Sequence, residues 1–150
     1  MRATRSKYGR HGLSPELDAV IKSIKKTAAK SGIRSVRLEL YEFLEAIYRV
    51  YVDWKRTKVA NKSARALANQ IKLVPRKGMG PIRVLIEATL PDADFKQKSR
   101  WVRALEYLYS EDVAPSRFRR FVGDHGGVAG CARLAVEVSR KRRRPGGDWN

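Results

Sequence analysis

Three side chains of the types found in a thiol-based active site crowd one stretch of this chain: Asp124, His125 and Cys131, within RFRRFVGDHGGVAGCARLA, residues 117–135. A cysteine nucleophile needs a histidine base within hydrogen-bond reach and a third group that orients the base. Neighbouring side chains on a backbone diverge, so Asp124 and His125 are badly placed to serve as orienter and base. Cys131 sits among Val128, Leu134, Ala135 and Val138, apolar positions at helical spacing. A lone cysteine in that pattern packs as a small hydrophobe.

Metal chemistry finds equally little to work with. His11, His125 and one cysteine are too few for a structural zinc site. Glu39, Glu42 and Glu45 recur every third residue, as expected for a solvated helix face paired with arginines. The glycines of GMG (78–80) and DHGGVAG lack the Lys-Ser/Thr that completes a phosphate-binding loop. The expectation is therefore a non-enzymatic protein with no cofactor and no metal.

Charge supplies the positive signal. The 150 residues carry 33 Lys and Arg against 15 Asp and Glu, a formal net charge of +18. Self-repulsion of that size makes an anionic partner the natural expectation, nucleic acid first and an anionic membrane surface second. The excess is concentrated. Between Asp53 and Glu87 no acid occurs, yet nine bases do: Lys55, Arg56, Lys58, Lys62, Arg65, Lys72, Arg76, Lys77 and Arg83. Solvated helix faces normally interleave both signs, so a one-sign stretch reads as a phosphate-contacting surface.

The elements that would position these bases are helices. LSPELDAVIKSIKKTAAKSG has Ser14 as a cap, Pro15 as an opener, an apolar face of Leu17, Val20, Ile21 and Ile24, and Ser31-Gly32 as a stop. Residues 35–58 form the longest helix. It is apolar on much of its circumference, which suits either a central helix packed on several sides or one shared with a second subunit. A shorter helix follows, capped by Asn61 or Ser63. PIRVLIEATL reopens at Pro81 and is the one place where a short strand could hide. Next comes a helix capped by Asp92 or Asp94, with Phe95, Trp101, Val102, Leu105 and Leu108 on its core face. A helix opened by Pro115 and a last one beginning at Val128 complete the series.

No segment alternates strictly enough for a sheet. The expected fold is all-α, a compact single domain of about six or seven helices over residues 13–139. A flexible basic arm (1–12) and a basic tail (140–150) flank it. No apolar run approaches the roughly 20 residues of a membrane span, and the expected location is cytoplasmic or nucleoid-associated, nuclear in a eukaryote.

Two segments fit a helix-turn-helix. In the first, residues 63–89, Ala66, Leu67, Ile71 and Leu73 would pack one helix, PRKGMG would form the turn, and the second helix would present Arg83 to base edges. In the second, Arg117, Arg119 and Arg120 decorate one helix and Arg133 and Arg140 the next, across the Gly126-Gly127 turn. The run Arg140, Lys141, Arg142, Arg143, Arg144 and the N-terminal arm have the form of sequence-independent phosphate binders. Aromatics beside bases, such as Trp54 and Trp101, are expected in the core rather than stacked on bases. Together these features imply a DNA-binding regulatory or accessory factor, with a homodimer through the 35–58 helix as one assembly. The alternatives are an RNA-binding or ribonucleoprotein-associated module, and a protein–protein adaptor or inhibitor that engages an acidic partner.

Overall fold

A computed structural model describes residues 18–19, 21–26, 36–74 and 76–143. The N-terminal arm, both ends of the first expected helix and residues 144–150, Arg144 among them, lie outside the described residues. What is described is helical, with no strand among the described residues. The all-α expectation holds, and PIRVLIEAT (81–89) is helix. The chain divides into two compact units, Met1–Ala93 and Asp94–Asn150.

In the first unit, residues 21–26 are helical with Ile21 and Ile24 buried. Helix α1 (Val36–Arg56) follows, then α2 (Ala60–Gln70) and α3 (Pro81–Thr89). Helix α1 packs against both α2 and α3, and α2 packs along α3. Phe43, Leu44, Ile47, Tyr48, Tyr51 and Trp54 of α1 are buried within the chain itself, as a central helix requires, while Leu40, Tyr41, Val50 and Val52 are half-buried. Each large apolar side chain fully buried this way contributes about 1.5–3 kcal/mol. On α1, Glu45 pairs with Arg49 at 2.9 Å and Asp53 with Arg56. Of the three glutamates expected on a solvated, arginine-paired face, Glu45 has its arginine but is only 18% exposed, Glu42 is exposed, and the side chain of Glu39 lies outside those described.

Helix α2 buries Ala60, Ala64, Leu67 and Ala68. Its small residues let α2 approach its neighbours closely, while Ala66, Ile71 and Leu73, expected in the core, are only half-buried. The N-cap is Val59, with no side-chain cap bond; neither Asn61 nor Ser63 caps it, because the helix starts one residue before the first and three before the second. Helix α3 opens as expected, with Gly80 as N-cap and Pro81 in the first turn.

In the second unit, α4 (Phe95–Ser110) is capped by Asp94, whose carboxylate accepts from the Lys96 and Gln97 amides at 3.0 and 3.3 Å. Such a cap stabilises by about 1 kcal/mol. Trp101, Ala104, Leu105 and Leu108 are buried. Phe95 is 57% exposed: it is the first residue of the helix, beyond the reach of the packed face. A 3-10 turn opened by Pro115 (Pro115–Arg117) leads into α5 (Phe118–Asp124), and α6 (Gly127–Arg143) packs against α4 and α5. Helix α6 starts at Gly127 rather than Val128 and continues through Arg143, so Arg140, Lys141, Arg142 and Arg143 are helical rather than tail.

Three helices end in the same way. After α1, the Val59 amide donates to the Trp54 carbonyl (2.9 Å) and the Lys58 amide to Lys55 (3.2 Å). After α2, Leu73 donates to Ala68 (2.8 Å) and Lys72 to Asn69 (3.2 Å); after α4, Val113 donates to Leu108 (3.1 Å) and Asp112 to Tyr109 (3.0 Å). These are Schellman stops, which normally place glycine in the left-handed conformation. Here the left-handed residues are Lys58 (φ 62°), Lys72 (φ 58°) and Asp112 (φ 58°). That backbone costs a residue with a Cβ about 1–2 kcal/mol, and aspartate, unlike lysine, can offset it by bonding locally.

Candidate nucleic-acid interface

The acid-free stretch has a simple local geometry. Helix α2 turns its buried alanines and Leu67 inward, which leaves Asn61, Lys62, Arg65 and Asn69 exposed on its outer side. Lys62 and Arg65 stand three residues apart, and Asn69 four further on, so the three share one face. Lys58 and Lys72 occupy the turns at the two ends of α2, and Arg76 and Lys77 the turn leading to α3; all four are exposed.

The two acids that bound the stretch each pair with the arginine nearest to them. Asp53 takes Arg56. Glu87 takes Arg83 at 3.0 Å, with the two side chains only 17% and 14% exposed. Lys55 is exposed, with its ammonium 6.0 Å from the centre of the Tyr51 ring. The outward charge of the segment therefore comes chiefly from Lys58, Lys62, Arg65, Lys72, Arg76 and Lys77.

Arg83 corrects the expected helix-turn-helix reading. Helix α3 buries Ile82, Val84, Leu85, Ile86, Ala88 and Thr89, six of its nine residues, so it has no open face to lay in a groove. Arg83 is half-buried and held by Glu87 instead of reaching outward. The polar helix of the pair is α2, whose Lys62 and Arg65 were expected to contact phosphates while base reading was assigned to the second helix. The signal was present in the sequence: Asn61, Lys62, Arg65 and Asn69 alternate with alanines at helical spacing, whereas PIRVLIEAT offers almost no polar side.

The second candidate segment differs. Arg117, Arg119 and Arg120 are exposed, as are Arg133, Arg140 and Lys141. However, Arg117 and Arg120 line an open cleft of about 280 Å³ together with Glu111, Asp112, Asp124, Val113, Phe121 and His125. Acids share the surface with the arginines. One of them, Glu111, also acts on Tyr107, whose hydroxyl is held above its ordinary range first by burial, then by Glu111, Cys131 and Glu137.

The residues that suggested thiol chemistry have other roles in the structure. Cys131 is fully buried, and burial pushes its thiol up to about 11, the opposite of an activated nucleophile. The His125 ring stacks on Phe121 with centroids 3.9 Å apart, and its Nδ1 lies 2.7 Å from the Phe121 carbonyl oxygen. Because that carbonyl can only accept, Nδ1 carries the proton. Asp124 is exposed. Among the described residues, no three His, Cys, Asp or Glu side chains are grouped to hold a metal ion, and no helix is long and apolar enough to cross a membrane. No family model matches the chain, and no curated protein or solved structure is significantly similar to it.

Proposed function

We propose that this chain binds duplex DNA in a regulatory or accessory role rather than a catalytic one. The observation that carries the reading is the run of six exposed bases, Lys58 to Lys77, on α2 and its flanking turns, with no acid among them. Bases arranged in this way neutralise phosphates and release condensed counterions, each contact contributing about −0.9 to the slope of log affinity against log salt on duplex DNA. Six contacts correspond to a slope of roughly −5, and to a loss of about 10³ in affinity between 50 and 200 mM salt. The outer face of α2 supplies the side chains suited to base edges, since Arg65 can pair with guanine and Asn69 with adenine.

Fluorescence anisotropy with labelled duplex DNA, duplex RNA and single-stranded DNA at 50 and 200 mM salt tests the reading. Tightest binding to duplex DNA with a slope near −5 is expected. A preference for RNA would move the function to a ribonucleoprotein role. Absence of binding to every nucleic acid at 50 mM salt would remove the proposal and leave an acidic protein partner as the alternative.

A further inference from the structure

Resting on the DNA-binding reading, we infer that Lys58 and Lys72 are fixed phosphate contacts that bracket α2, one on each wall of the groove it enters. Both are exposed, both hold left-handed backbone, and both occupy the same position of a Schellman stop, two residues before α2 begins and two after it ends. Glycine is the residue that fits such a position without strain. The chain does place glycine at Gly78, Gly126 and Gly127, where φ is likewise positive. At the two ends of α2 it instead keeps a long cationic side chain on an unfavourable backbone, and strain retained against an easy alternative marks a functional position.

The stop fixes where each lysine leaves the backbone, because the amides on both sides are bonded to the end of the preceding helix. The ammonium groups therefore spring from two defined points rather than from a loose loop. Helix α2, eleven residues long, rises about 16 Å, somewhat more than the ~12 Å width of the major groove. Lysines at its two ends suit phosphates on opposite walls, with Arg65 and Asn69 facing the bases between them.

The discriminating variant is Lys58→Gly/Lys72→Gly, because glycine suits the backbone while removing both charges. Its control, Lys25→Ala/Lys26→Ala, removes the same charge from two exposed lysines of the same unit. Salt titrations of duplex DNA binding and thermal unfolding are measured on the full chain. The glycine variant should keep or raise its melting temperature and lose about 1.8 from the salt slope, two phosphate contacts' worth, while the control loses less. Equal losses in both variants, or a glycine variant with lowered melting temperature, would overturn the inference while the parent's binding stood. A parent that binds no duplex DNA would instead overturn the reading beneath it.

Discussion

Residues 54–86 and residues 111–137 are both helix–turn–helix segments rich in cations, yet they treat charge in opposite ways. The first has nine bases and no acid; the second balances Arg117, Arg119, Arg120 and Arg133 with Glu111, Asp112, Asp124 and Glu137. In the first, the flanking acids are consumed by Arg56 and Arg83, and the bases between them face water. In the second, arginines and carboxylates line one cleft. A high net charge therefore says little about where a polyanion docks. What distinguishes a docking surface is the local absence of acids that would repel the phosphates.

The turns differ as well. The second segment reverses through Gly126 and Gly127, both at positive φ, and α6 then passes so close to the preceding turn that a Cβ on Gly130 would overlap the His125 carbonyl oxygen and lie 3.0 Å from its carbon. A backbone atom cannot swing aside as a side chain can. Gly130→Ala is expected to produce the largest stability change of any single substitution considered, about 3 kcal/mol of destabilisation, read by urea unfolding. Since the proposed interface lies in the other unit, duplex binding at 50 mM salt should survive it below the unfolding midpoint. Loss of binding without loss of folded signal would show that the second segment takes part in the interface.

Charge removal is the next largest test. Neutralising Lys62, Arg65, Arg76 and Lys77 to glutamine should remove about 3.6 from the salt slope, so that roughly 100-fold less affinity is lost between 50 and 200 mM salt. Neutralising Arg117, Arg119 and Arg120 should change the slope by less than one contact's worth. If the two sets weaken binding equally per charge, the chain binds as a diffuse polycation and the contrast between the segments has no functional meaning. Arg83→Ala gives a smaller effect of a different kind. It removes the ion pair with the half-buried Glu87 carboxylate, so about 2 kcal/mol of stability should be lost. Arg83→Ala should have little effect on the salt slope.

How far the sequence reached follows from the same contrast. Helices were legible wherever apolar spacing and a cap or proline coincided, as at Asp94, Pro81 and Pro115. The α2 cap was not, because Val59 is set by the Schellman stop ahead of it rather than by its own side chain. The acid-free run was visible by inspection, but its division into outward and paired bases was not: that depends on Arg83 and Glu87 being drawn together on the mostly buried α3. Nor could spacing reveal that Lys58 and Lys72 take left-handed backbone, since lysine carries no turn signal of its own. The balance around Arg117 and Arg120 was readable in the acids flanking them, once the cleft showed those acids to be its lining.

Cys131 offers the subtlest test of the second segment, through pH rather than mutation. Its thiol is fully buried and titrates at about 11 rather than 9.0 because burial disfavours the thiolate. Below pH 9 the thiol is protonated in both folded and unfolded chains, and it contributes no pH dependence. Between about 9 and 11 the unfolded chain loses the proton while the folded chain keeps it, so the unfolded state binds fewer protons and stability falls as pH rises. Burial of Tyr107 acts in the same direction at higher pH. Urea midpoints measured from pH 8 to 11 should decline, and Cys131→Ala should shallow the decline while lowering the midpoint at pH 8 only modestly. In the native protein at pH 8 the thiol should resist iodoacetamide, and it should react once urea unfolds the chain. Rapid alkylation of the folded protein would mean that the thiol is exposed and ionised, and would restore thiol chemistry to the segment that begins at Arg117.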